Sequence, residues 1–195
     1  MTTLKAEKRT MNTKAKRLRR EGYVTGNIFG REMKESMPIK IVQADAERLL
    51  KTNNKGSQVM VEVDGQSMNV LIKEIDYDSM KRQILEIDFQ ALVSNEKVHS
   101  VAEIILLNHE KVTTGVLQQL LEEVSYKAYP ADLVDKIQVD VGDMRVGDSI
   151  KVGDLPIASN ETISLQTDLD AVVVTVTASK NDITEDEAEE GTDEK

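Results

Sequence analysis

VMVEVDGQSMNVLI, residues 59–72, spells a β-hairpin. Val59, Val61 and Val63 alternate along one face, Asp64-Gly65 is a two-residue turn signal, and Met68, Val70 and Ile72 alternate on the return. A side-chain period of two on either side of Asp-Gly is the strongest short-range hairpin pattern. Downstream, Ile84–Phe89 predicts another strand, with Leu85, Ile87 and Phe89 on one face and Ile84, Glu86 and Asp88 on the other. Upstream, Asn27–Gly30 and Pro38–Val42 read as short strands. Asp45–Lys51 reads as a short helix with Leu49 and Leu50 inward, ended by Asn53–Gly56. Several short strands at this spacing suggest a closed or partly closed barrel.

The polar segment Leu92–Lys97 marks a domain boundary. Beyond it the pattern stays β-rich. Ser100–Leu107 is apolar and β-branched; Ile137, Val139 and Val141 alternate, as do Val172, Val174 and Val176. Val116–Lys127 is ambiguous: its Leu pairs look helical, while Val124, Tyr126 and Ala128 alternate. Val-Gly-Asp recurs at Val141, Val146 and Val152, which predicts turns between short strands. From Lys180 onward the chain lacks apolar content and is expected to be a disordered acidic tail. The expected fold is therefore mainly β with a few short helices (α+β). It has an N-terminal barrel domain at 1–91, a C-terminal all-β domain at 92–179 and a tail at 180–195.

Charge is distributed unevenly. The 195 residues carry a net −10, yet residues 1–34 hold ten Lys or Arg against three Glu, and residues 181–195 hold eight Asp or Glu against Lys195. Such asymmetry says more about partners than the total does. Asn12–Gly22, NTKAKRLRREG, predicts a helix with Asn12 as N-cap and Gly22 as stop. Met11, Ala15 and Leu18 make a narrow apolar stripe, while five of the seven residues from Lys14 to Arg20 are cationic. No acidic residue offsets them before Glu21, so positive density is left for a polyanion. The stripe is too narrow for a membrane-surface helix, and no zinc finger, helix-turn-helix or dimerising heptad argues for DNA. The bland alternative is a solvated surface helix.

Enzyme chemistry finds no foothold. The chain has no Cys, no Gly-rich phosphate loop, no His-Glu-x-x-His and no Gly-x-Ser-x-Gly. His99 and His109, ten residues apart without acidic spacing, make a poor metal pair, and Glu86 with Asp88 reads first as a polar strand face. The expectations are no cofactor, no small-molecule substrate and no membrane partner. The lack of Cys and of an N-terminal apolar run fits a cytoplasmic location.

Ordered motifs along the chain carry a resemblance. Lys16-Arg17-Leu18-Arg19, Gly22 and Ile28-Phe29-Gly30 resemble the basic helix, glycine and Ile-Tyr-Gly strand of bacterial large-subunit ribosomal protein L-twenty-five. Glu86-Ile87-Asp88-Phe89 is similar to its His-x-Asp-Phe strand. Gly115–Gln119, Pro130–Asp132 and Gly147–Ile150 resemble segments of the second domain found in the long form of the family, the general stress protein CTC type. The resemblance implies a six-stranded N-terminal barrel that binds an irregularly paired stretch of 5S ribosomal RNA through its minor groove. It also implies a second β domain against neighbouring proteins and RNA of the central protuberance, hence a ribosome-associated protein. Carried over by position, the RNA-facing residues are Lys16, Arg17, Arg19, Phe29 and Asp88. Arg9, Lys14 and Arg20 are phosphate contacts, and Glu86 also lies on this face. Three features depart from the family pattern: Phe29 replaces a tyrosine, Glu86 replaces a histidine, and Lys73–Asp78 is more acidic. These departures leave open a second reading, a stress-related protein-interaction module with weakened RNA binding.

Overall fold

The computed structural model describes residues 3–10, 12–113 and 115–178. The expected tail at 180–195 and the stripe residue Met11 lie outside them. The chain divides into two compact units. The first comprises Met1–Ala102, Ser125–Asp135 and Thr162–Ser164; the second comprises Glu103–Val124, Lys136–Glu161 and Leu165–Lys195.

In the first unit, β1 (Thr3–Lys8), β2 (Tyr23–Phe29), β3 (Met37–Val42), β4 (Gln58–Val63), β5 (Gln66–Asp78) and β6 (Gln83–Ala91) close a barrel in the order β1-β3-β2-β6-β5-β4. Helix α1 (Ala15–Arg20) precedes β2, and α2 (Gln43–Leu50) follows β3. The hairpin forms as expected, with Gln58–Val63 antiparallel to Gln66–Leu71 and Asp64 and Gly65 both at positive φ. That pair of left-handed residues is the geometry a two-residue hairpin turn demands. Closure depends on two parallel pairings, β1 with β4 and β2 with β6. At the second, Gly26 permits close approach, because a Cβ there would stand 2.2 Å from the Ile87 carbonyl oxygen.

The barrel interior is aliphatic. Val24, Ile28, Ile39, Ile41, Val59, Val61, Val70, Ile72, Ile87 and Phe89 are all buried, and Ala46 and Leu49 of α2 join them. Each buried Val, Ile or Leu contributes about 1.5–3 kcal/mol of transfer free energy. Strand β1 is absent from the sequence expectation, since only Leu4 and Ala6 of Thr3–Lys8 are apolar. Strand β2 begins four residues earlier than expected, at Tyr23.

Two β-bulges set which side chains face out. Ile72 pairs with Phe89 but Glu74 pairs with Asp88, so Lys73 is an extra residue on β5. Asp76 pairs with Glu86 but Tyr77 pairs with Ile84, so Leu85 is an extra residue on β6. A bulge shifts the side-chain alternation by one. The first turns Ile75 toward the core and Glu74 and Asp76 outward. The second corrects the expectation for β6: Ile84 is buried, and Leu85 is only half-buried.

In the remainder of the chain, β7 (Val98–Leu107), β9 (Glu123–Ala128), β10 (Lys136–Asp140) and β12 (Ser164–Leu165) make a sheet in the order β10-β7-β9-β12. A three-stranded sheet runs β11-β13-β8, from β8 (Val116–Gln119), β11 (Ser149–Lys151) and β13 (Val172–Thr177). The ambiguous segment Val116–Lys127 is thus two strands, and Val124, Tyr126 and Ala128 are fully buried. The Tyr126 hydroxyl donates to Val134 O at 2.9 Å and accepts from Val134 N at 2.8 Å, fastening the link to β10. The third Val-Gly-Asp, at Val152–Asp154, is a 3₁₀ turn. The mainly β fold class holds throughout.

Candidate nucleic-acid interface

The basic helix is shorter than its sequence suggests. It spans Ala15–Arg20 with Lys14 as N-cap and no side-chain cap, so Asn12 does not cap it. Gly22, at φ +85°, stops it as expected. Leu18 is its one buried residue, which leaves most of its circumference for charge. Lys14, Lys16, Arg17 and Arg20 are exposed. Arg17 departs from the expectation of unpaired charge: its Nε donates to Glu21 Oε1 at 2.9 Å. Between exposed groups such a pair stabilises little, so the guanidinium stays available to a competing anion.

Arg19 is different. It is half-buried, and its Nη1 donates to Leu85 O at 3.4 Å, the same carbonyl that accepts the Thr25 hydroxyl at 3.3 Å. The extra residue in β6 thus offers its carbonyl to the helix and to β2. Arg9, just after β1, is also half-buried; its Nη2 donates to Thr13 O at 3.0 Å, and its buried Nε has no partner among the described residues.

Beside the helix lies the outer face of β2, β6 and β5. Register places Thr25 opposite Glu86, Asn27 opposite Asp88 and Phe29 opposite Gln90. Across β6, Asp88 faces Glu74 and Glu86 faces Asp76. The Asn27 side chain donates to Glu86 Oε1 at 3.2 Å and Asp88 Oδ1 at 3.3 Å, and its N–H donates to Asp88 Oδ1 at 3.2 Å. Burial, then the Asp88 and Asp76 carboxylates, hold the Glu86 carboxyl above its ordinary range, opposed by the charges of Arg9 and Arg19. Phe29 is 37% exposed, an aromatic ring offered to solvent at the end of β2.

Arg9, Arg19, Glu86 and Asp88 therefore lie in one neighbourhood, Phe29 shares the β2 face, and Lys14, Lys16, Arg17 and Arg20 ride on the helix beside it. Sequence reasoning missed Asn27 as a member of this surface, although alternation in Tyr23–Phe29, with Val24 and Ile28 inward, is the signal that could have found it. Glu74 and Asp76 were singled out only within the acidic segment Lys73–Asp78; that they face outward needs the bulge at Lys73, which leaves no mark in composition.

Comparison with known proteins fits this architecture. The Ribosomal L25p family profile matches residues 4–89, and the C-terminal domain of ribosomal protein TL5 matches residues 97–180. Large ribosomal subunit protein bL25 of Listeria monocytogenes serotype 4b (strain F2365) is 31% identical over 181 residues, covering 91% of this chain and 86% of that protein. The bL25 of Dictyoglomus thermophilum is 30% identical over 200 residues, covering 97% and 96%. The bL25 of Bacillus velezensis is 28% identical over 193 residues, covering 97% and 94%. With both halves matched and the barrel in place, this chain belongs to the bL25 family of ribosomal proteins, a structural and non-enzymatic family, in its long form.

Proposed function

We propose that this chain is a structural constituent of the large ribosomal subunit that binds 5S ribosomal RNA in the central protuberance. The observation that carries this reading is the exposed cation array of α1 standing beside a polar strand face with an exposed aromatic ring. Lys14, Lys16, Arg17, Arg19 and Arg20, with Arg9, neutralise phosphates and set the register. Phe29, Glu86 and Asp88 face the shallow minor groove, where shape, 2′-hydroxyls and base edges are read. In this reading residues 1–91 form the RNA-binding domain. Residues 92–179 form a second domain that meets neighbouring ribosomal proteins and RNA, with 180–195 as an acidic extension, and the protein works in the cytoplasm.

The test is a fluorescence-anisotropy titration of the full chain with 5S ribosomal RNA and with an unrelated hairpin at two salt concentrations. If five to seven cations each neutralise a phosphate, log K falls with log salt at a slope of about −4 to −6. Unselective binding with a shallow slope would defeat the proposal. A second reading draws on the facing carboxylates Glu74/Asp88 and Asp76/Glu86. Four anions near a phosphate backbone favour a protein-interaction role with weakened RNA binding, and a 5S affinity no better than that for the hairpin selects it.

A further inference from the structure

One residue of the strand face is singled out by neither charge nor motif. Asn27 uses its amide nitrogen for two carboxylates at once, Glu86 at 3.2 Å and Asp88 at 3.3 Å, and gives Asp88 a second bond through its backbone. Two anions two residues apart on one strand repel each other, and in solvent their side chains would take separate rotamers. A half-buried carboxamide bonded to both keeps them side by side. Glu86 Oε2 and Asp88 Oδ2 are left with no hydrogen-bond partner among the described residues. An ionised carboxylate only accepts, so these two oxygens can bind donors and nothing else.

We infer that Asn27 is a positioning residue that holds Glu86 and Asp88 as a paired acceptor, and that this pair makes the interface select RNA grooves presenting guanine amino groups. The inference rests on the RNA reading above. In a minor groove, pairs of adenine with uracil present acceptors on their base edges, while guanine adds the N2 amino donor. Every nucleotide offers a 2′-hydroxyl, which gives affinity without distinguishing bases. At the base edges, a fixed pair of acceptors therefore gains at guanine and meets only other acceptors at adenine and uracil. Glu74 and Asp76, opposite on β5, add acceptors and no donor. The raised proton affinity of the Glu86 carboxyl works in the same direction, since a more basic carboxylate is a stronger acceptor.

The experiment uses the full chain and two synthetic duplexes copying the irregularly paired 5S segment. One carries guanosine, and the other carries inosine, which lacks only the N2 amino group. The wild-type chain is expected to prefer the guanosine duplex by roughly tenfold, the low end of what a paired base contact supplies. In Asn27→Ala that preference falls to about one, through weaker binding of the guanosine duplex. Because Asn27 lies between two strands, Glu86→Gln, which leaves the barrel interior untouched, is measured beside it. There the preference falls while affinity for both duplexes rises, since an anion has left a polyanion-binding surface. Equal wild-type affinity for the two duplexes overturns the inference, as does a loss in Asn27→Ala that is the same for both. A wild-type chain that binds neither duplex overturns the RNA reading itself, and so separates the two failures.

Discussion

Helix α1 and the outer face of β5 and β6 belong to the same barrel and carry opposite charge for different physical reasons. The cations of α1 sit on a single turn and a half of helix anchored by Leu18, and most of them are exposed and free to follow a phosphate wherever it lies. The carboxylates sit on paired strands, with positions set by register and by Asn27. Like charges directly opposite each other weaken a sheet. The fold carries two such pairs, Glu74/Asp88 and Asp76/Glu86, so stability does not explain them. On the proposed RNA reading, the helix supplies affinity with tolerance of geometry, and the strand face supplies geometry at some cost in affinity.

Removing the platform beneath both regions has the largest expected effect. Gly26→Val puts side-chain atoms where the Ile87 carbonyl already stands and separates β2 from β6. A loss of about 3 kcal/mol or more is expected in chemical denaturation, with RNA binding lost in parallel. Should the variant remain as stable as the wild type, the close β2–β6 contact is not what holds the two regions together.

The double substitution Arg17→Ala with Arg19→Ala tests the helix alone. A loss of 5S affinity of about thirtyfold is expected, along with a salt slope shallower by about two phosphate contacts. An unchanged slope would mean that α1 is merely solvated. Arg19 also donates to Leu85 O, so the Arg19 single variant should loosen the helix as well. Amide exchange at Thr25–Asn27 should rise in that variant but not in Arg17→Ala.

On the strand side, Glu74→Gln with Asp76→Asn removes the anion opposite each β6 carboxylate. The barrel should gain about 0.2–1 kcal/mol for each relieved pair, seen as a higher denaturation midpoint. No gain would show that these pairs are already neutralised, by Arg9, Arg19 or bound protons.

The smallest expected effect concerns pH. Burial and neighbouring carboxylates hold the Glu86 carboxyl above its ordinary range, so the native state binds this proton more tightly than the unfolded chain does. The native fold is therefore most favoured below the ordinary carboxyl range and loses that margin as pH rises through the raised value. Glu86→Gln abolishes the loss. Its melting temperature should exceed the wild type's at pH 7 by ~1–2 °C and match it at pH 4. An equal difference at both pH values would assign the gain to packing and not to ionisation.

The hairpin at Val59–Ile72, the strand Pro38–Val42 and the short helix near Leu49 were legible because each repeats one period over enough residues to stand out. The basic helix was legible as charge, though its start was misplaced by the attractive Asn12, which sits outside the helical turn. Strand β1 was not legible, because Thr3–Lys8 is mostly polar and is held by pairing with β3 and β4, residues far away in sequence. The acceptor half of the interface was legible only in part. Glu86 and Asp88 share a visible alternation, whereas Glu74 and Asp76 reach the surface because a bulge at Lys73 reverses the alternation of β5. Bulges are decided by the partner strand, and a single strand's sequence does not contain its partner's register.

The parallel contact between β2 and β6 has a consequence for the order of events during synthesis. Asn27 and Asp88 meet across sixty-one residues, and everything between them must be made before they can. Contacts of such long range are slow to form, because the intervening loop must first lose its freedom. On the proposed RNA reading, a nascent chain that has displayed its basic helix can attract RNA at once, but it has no acceptor face until Gln83–Ala91 has left the ribosome and paired. Selective binding would then report that the barrel has closed, and an incomplete or misregistered barrel would be left with charge alone.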